Sequence, residues 1–315
     1  MHYDSYKENC LLGIDATSSV YQIIGGLIKN EKMLLNTNCI DNDAEKKNDI
    51  YSTVMENFNQ KFDLKRAEEG YSEGLTKHIA LLKLKEKPYQ LYIENFETIM
   101  NKFNQKKRAL FKATTMTYAY NQSVYSRYQE IGAELLLDKN PYSLNCYTKF
   151  LLYLTESIIA ALNQDYPDLE RLKKLIQSIV KLNDNNRLIF KNHAQTSHEV
   201  IELYPKHLIK TYKFYNRFNK KNTSVYEKFT HPSDINIRKH MIATMPNYIH
   251  YLDSCLLIDV LNKCIENQIE CIPIHDCFYT KPCHMESIRK FYTESFIDII
   301  IKPNNLEHLI RDNSL

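Results

Sequence analysis

The 315-residue chain has no tryptophan and only six glycines, where average usage of about 7% would give roughly 22. All six (Gly13, Gly25, Gly26, Gly70, Gly74 and Gly132) lie in the first 132 residues. There is no GxGxxG and no GxxxxGK[ST], so any nucleotide is held without a glycine loop. Charge of one sign is also missing: 41 Lys+Arg face 38 Asp+Glu, a net of +3. Affinity for nucleic acid or a membrane must then come from local clustering. No apolar run approaches the 18 or so residues of a membrane span, and the first residues lack the apolar core of a secretory signal. Eight cysteines in a chain this long do not make a disulfide scaffold. Cys264, Cys271, Cys277 and Cys283 lack the tight CxxC pairing of zinc sites and read as small buried residues in a reducing compartment.

What is present is an ordinary globular composition, 43% hydrophobic and 25% charged. The apolar run at residues 10–14 closes on Asp15 and predicts a buried strand ending in a carboxylate. Helices are expected over 19–30, 49–62, 74–87, 101–130, 147–163 and 167–182, and residues 36–49 read as a loop. Residues 195–245 are expected to mix helix and loop, and an amphipathic segment begins at Pro246-Asn247. Residues 269–280 alternate as a strand, turn at His275-Asp276 and return. Two stretches concentrate positive charge. Residues 101–128 hold Lys102, Lys106, Lys107, Arg108, Lys112 and Arg127 with no acid, and residues 205–240 interleave lysines with aromatics such as Tyr212, Phe214 and Tyr215. Such mixtures suit a phosphate backbone with stacked bases, and equally a solvated face over core aromatics.

Three short segments carry chemistry together. Asp15 and Asp276 each sit at the end of a strand, so each carboxylate projects from a sheet edge. Brought together they can hold two Mg²⁺ ions, hard cations that accept carboxylates, waters and phosphate oxygens as ligands. Between them, Arg108, Lys112, Met116 and Tyr120 recur every four residues and form one stripe of a helix. Its two cations can meet a triphosphate, and its tyrosine a sugar or base.

In this order the segments resemble motifs A, B and C of the bacteriophage-type single-subunit RNA polymerases, the family that includes mitochondrial and mitochondrial-plasmid enzymes. The R-x3-K-x3-M-T-x2-Y pattern is matched by Arg108, Lys112, Met116, Thr117 and Tyr120, and HD-x-F-x-T by His275, Asp276, Phe278 and Thr280. Residues 238–253, ending in Pro246, Asn247, His250 and Asp253, are similar to the family's stretch before motif C, and Asp49-Ile50-Tyr51 to a further element. The resemblance covers about residues 10–295.

It implies a helix-rich α+β fold, a right-hand polymerase: an antiparallel palm sheet built from residues 1–48 and 246–315, with helical fingers over 49–245. The thumb and N-terminal region are expected to be lacking. Asp15 and Asp276 would bind two Mg²⁺ ions, Lys112 would contact the triphosphate and act as general acid, and Arg108 would assist on the phosphates. Tyr120 and His250 would sense the ribose 2′-hydroxyl, Tyr51 would line the nucleotide site, and His275 would lie near the RNA 3′ end. The implied partners are a DNA template, nascent RNA, ribonucleoside triphosphates and a second polypeptide supplying the absent parts, in a mitochondrion. Val20, Asn121 and Tyr279 stand where the family usually has glycine. A non-catalytic polymerase-derived binding subunit and a DNA polymerase fragment are the alternative readings; Val20, where DNA polymerases place glutamate, and His250 speak against the latter.

Overall fold

The computed structural model describes residues 10–16, 18–40, 48–83, 95–135, 145–182, 188–192, 196–200, 205–216, 221–274 and 276–313. A three-stranded antiparallel sheet joins the two ends of the chain. β1 (Leu12–Asp15) pairs with β7 (Cys277–Thr280), which pairs with β6 (Cys271–Ile274), giving the order β1-β7-β6. Ile14 opposes Phe278 and Asp15 opposes Cys277. Ile274 opposes Cys277 across the β6–β7 pair. β1 is an edge strand with Leu12 exposed, not the buried strand expected, because no further strand among the described residues covers its outer side.

Helices fill most of the interval between these strands. α1 (Ser19–Leu27) and α2 (Glu31–Asn36) follow β1, then α3 (Ile50–Lys61), α4 (Leu64–Lys83), α5 (Phe96–Ala119), α6 (Val124–Leu135), α7 (Thr148–Asp165) and α8 (Asp168–Leu182). One hydrophobic core runs through them, from Val20 and Ile24 of α1 through Phe58, Phe103, Phe111 and Phe150 to Leu252 and Ile300 near the chain's end. Val20 is among the fully buried residues, so its side chain belongs to this core. α3 starts where the side chain of Asp49 accepts a hydrogen bond from the Tyr51 backbone N–H, and α5 where Asn95 accepts from Thr98. Gly70 and Gly74 let α4 approach the Tyr147–Phe150 region. A Cβ at Gly74 would lie 2.6 Å from the Tyr147 ring and 2.9 Å from the Cys146 carbonyl oxygen.

Three expectations need correction. The basic helix does not run through residues 101–130. α5 stops at Ala119, and Asn121 takes a left-handed φ of 58°. The Asn121 N–H then bonds the Tyr118 carbonyl and the Gln122 N–H bonds the Thr117 carbonyl, the paired bonds that close a helix end. Asparagine tolerates this conformation better than any other residue bearing a side chain, and it serves where glycine is the usual choice. Next, the segment 195–245 is expected to mix helix and loop, but its described residues up to Ile235 lie in strands. β2 (Leu188–Asn192) pairs with β3 (Thr196–Val200), and β4 (Pro205–Asn216) with β5 (Lys221–Ile235), each pair antiparallel. Finally, the segment expected to begin at Pro246-Asn247 begins nine residues earlier, at Ile237. Pro246 lies inside α9 (Ile237–Glu266), whose first turn is capped by Asn236 accepting from the Lys239 N–H. Proline's missing N–H is tolerated where Met245, Tyr248, Ile249 and Leu252 anchor the same helix in the core. After β7 the chain continues as α10 (Met285–Phe296), a π turn at Ile297–Ile301 and α11 (Asn305–Asn313). No helix among the described residues is long and apolar enough to cross a membrane.

Candidate active site at the meeting of sheet and helices

The two aspartates come together through strand pairing. Asp15 ends β1 opposite Cys277, and Asp276 is the residue before Cys277, so the two backbones carrying the carboxylates are immediate neighbours. Neither carboxylate has a hydrogen-bond or ion-pair partner among the described residues. Two unneutralised carboxylates at one end of a sheet are the donor set a hard divalent cation requires, and Mg²⁺ needs few protein ligands because it retains waters. These residues therefore fit the implied metal. His275 lies outside the described residues.

The helix stripe also forms. Arg108 and Lys112 are exposed on α5, and Met116 and Tyr120 are half-buried further along the same face. The cations differ in their commitments. Arg108 donates from Nε and Nη2 to Asp49 Oδ2 at 3.2 and 3.0 Å, and lies 5.9 Å over the Tyr51 ring. Lys112 has no partner among the described residues, so its ammonium is free for a phosphate. Asp49 thus caps α3, bonds the Ser52 hydroxyl at 3.0 Å and holds Arg108. Tyr51 is buried, and its hydroxyl shares a 3.0 Å hydrogen bond with Ser18, just beyond Asp15. Tyr21 ties α1 to α5 by donating to the Thr115 carbonyl at 2.6 Å. The helix that follows Asp15 and the helices bearing Tyr51 and Lys112 are therefore cross-linked by buried side chains.

Tyr120 and His250 meet directly. Their rings stack with centroids 5.3 Å apart and planes 17° apart. Burial raises the Tyr120 phenol above its usual pKa, and the negative charges of Asp253 and Asp276 add to the rise, followed by Tyr51. The tyrosine that ends α5 is thus within electrostatic reach of the β6–β7 turn, of α3 and of α9. Asp253 is the residue sequence reasoning left without a role. Its signal was its place three residues after His250, which puts both on one face of α9.

The cationic stretch 101–128 is mostly not a free surface. Lys106 pairs with Glu134 at 2.6 Å. Lys107 bonds Asn59 and lies 5.2 Å over the Phe58 ring, and burial lowers its pKa. Arg127 is buried, donates to the Gln122 carbonyl and sits 5.1 Å over the Tyr118 ring. The β4–β5 ribbon is different. Lys210, Tyr212, Lys213 and Tyr215 of β4 are all exposed, as are Ser224, Val225 and Glu227 opposite them.

A family model described as DNA-dependent RNA polymerase matches residues 12–314, from the first residue of β1 to beyond the last residue of α11. The chain belongs to the DNA-dependent RNA polymerase family. This is the phage-type, single-subunit family of nucleotidyltransferases, and the match takes in both aspartates, the α5 stripe and α9. A search of curated proteins finds no match to the chain.

Proposed function

We propose that this polymerase chain extends an RNA 3′ end on a DNA template by two-metal nucleotidyl transfer from ribonucleoside triphosphates. The observation that carries the reading is a convergence. Asp15 and Asp276, both without partners among the described residues, adjoin where β1 meets β7, and Tyr51, Arg108, Tyr120 and His250 are linked by direct contacts or charge to the same place. Asp15 and Asp276 would hold the metals, which when bound lower the pKa of the attacking hydroxyl and neutralise charge on the leaving pyrophosphate.

The chain's own groups do the rest. Lys112 presents a free ammonium to the triphosphate and supplies a proton to the pyrophosphate as it leaves. Arg108, already oriented by Asp49, adds a planar guanidinium beside it. One turn past Met116 on the same stripe, Tyr120 lies where the sugar of a nucleotide gripped by Lys112 would fall. Its hydroxyl and the stacked His250 read the 2′-position. The exposed lysines and tyrosines of β4 offer a surface for a nucleic-acid backbone and its bases. Right-hand palm and fingers, a second polypeptide completing the enzyme and a mitochondrial setting belong to the same proposal. RNA-primed extension on a DNA template, with and without candidate partner chains, tests it. Templated incorporation is expected, and primer binding without incorporation under every condition would favour a non-catalytic binding subunit instead.

A further inference from the structure

Asp49 holds three groups with one carboxylate. Its Oδ1 accepts from the Tyr51 backbone N–H at 3.2 Å and closes the first turn of α3. Its Oδ2 accepts from the Ser52 hydroxyl at 3.0 Å and from Arg108 Nε and Nη2 at 3.2 and 3.0 Å. The side chain of Arg108 is 62% exposed and that of Asp49 24%. An ion pair this open to water adds little to stability. What it does is fix a direction. α3 packs against α5 and α7, and Tyr51 beside Asp49 is buried, so Asp49 is anchored to the core. Arg108 without it is a long, solvated side chain free to turn.

We propose that Asp49 is a positioning residue that selects which edge of the Arg108 guanidinium meets the triphosphate. The inference rests on the polymerase reading above. A guanidinium presents its N–H donors as flat forks. Asp49 takes the fork made by Nε and Nη2. The fork made by Nη1 and Nη2 is left to form parallel bonds to phosphate oxygens, one helical turn from the Lys112 ammonium. The Tyr51 ring, 5.9 Å from the guanidinium carbon, flanks the group. Setting the edge before the nucleotide arrives spares the rotamer entropy that a free arginine would lose on binding. The same geometry gives Asp49 an opposite effect once Arg108 is removed. Its carboxylate then stands uncompensated beside a triphosphate and repels it.

The test is a double-mutant cycle on the full chain. It reads KM and kcat for ribonucleotide addition on a primed template and, separately, Kd for a fluorescent ribonucleoside triphosphate. Asparagine caps a helix as well as aspartate does, so Asp49→Asn keeps the start of α3. With its oxygen on the Tyr51 N–H, its amide turns N–H donors towards those of Arg108 and cannot hold them. Asp49→Asn should raise KM and Kd about fivefold and leave kcat within about twofold. In an Arg108→Leu background the same substitution should lower KM and Kd about threefold, because only the repulsion is removed. Asp49→Ser, which also caps, should move both values in the same two directions. KM and Kd do not depend on how much of a preparation is folded. An unchanged KM and Kd in the wild-type background, or a rise in both backgrounds, overturns the role of Asp49 and leaves the polymerase reading intact. The Kd pattern without nucleotide addition under any condition overturns the polymerase reading alone. A chain that binds no triphosphate overturns both.

Discussion

Replacing Lys173 with methionine should stabilise the protein at neutral pH and flatten its stability–pH curve. Lys173 is a buried lysine of α8, with its Nζ 2.9 Å above the Tyr118 ring and 4.0 Å from Glu170. Burial lowers its pKa to about 7; Glu170 opposes that shift and the nearby Arg127 adds to it. In the unfolded chain the same amine titrates near 10.4. Between about pH 7 and 10.4 the unfolded state therefore binds more protons, and stability rises with pH across that window. The gap is about three units at about 1.4 kcal/mol each, a burden of about 4 kcal/mol at pH 7.

Lys173→Met keeps the length of the chain over Tyr118 and removes the amine. It leaves no orphaned charge, because Glu170 still accepts from the Tyr118 hydroxyl at 2.7 Å. The variant should be more stable than wild type by at least about 2 kcal/mol at pH 7, with the difference shrinking by about 3 kcal/mol towards pH 9.5. Two thiols act the other way. Cys39, pushed up to about 11, and Cys264, to about 12, stay protonated when folded while the unfolded thiols ionise above about 8.5, so they lower stability as pH rises. Both are present in each protein and cancel in the difference. Urea unfolding at pH 7, 8, 9 and 9.5 gives the comparison. Parallel curves for the two proteins, or a less stable variant at pH 7, would refute the reasoning.

The remaining expectations are narrower. Tyr120→Phe should lose most of the preference for ribonucleotides over deoxyribonucleotides while retaining activity, as read by paired incorporation assays; an unchanged preference would remove Tyr120 from sugar selection. Affinity for a primed template should fall steeply between low and physiological salt, measured by fluorescence anisotropy, and replacing Lys210 and Lys213 together should lower the salt slope by about two if the β4–β5 ribbon meets phosphates. Gly74→Ala should cost about 1–3 kcal/mol in chemical denaturation, because its Cβ would fall 2.9 Å from the Cys146 carbonyl oxygen, a backbone atom that cannot swing aside.

The parts of the site that were legible in the sequence were those set by local rules. An apolar run ending at Asp15, alternating residues on the way to Asp276, and a four-residue ladder on α5 each state their geometry through strand or helix periodicity; β1 forms as an exposed edge strand, β6 pairs with β7, and α5 carries the ladder. What was not legible depended on tertiary context. The β4–β5 ribbon has exposed side chains on both faces along its described middle, so no single apolar face imposed an alternating pattern. The break after Ala119 has no glycine or proline to announce it; Asn121 supplies the left-handed turn instead. Arg127 counted as surface charge in the sequence, yet the Gln122 carbonyl and the Tyr118 ring take it into the interior.

The most direct measurement is the single-nucleotide rate on an RNA-primed DNA template for wild type, Asp15→Asn and Asp276→Asn, with primer–template affinity measured in parallel. Each substitution removes one of the two carboxylates that adjoin across β1 and β7 and leaves the cationic and aromatic surfaces in place. Templated ribonucleotide addition by wild type, lost by at least about a thousandfold in both variants while template affinity stays within about threefold, is the expected result. Either variant extending at a rate near wild type would contradict the claim that Asp15 and Asp276 form the catalytic centre.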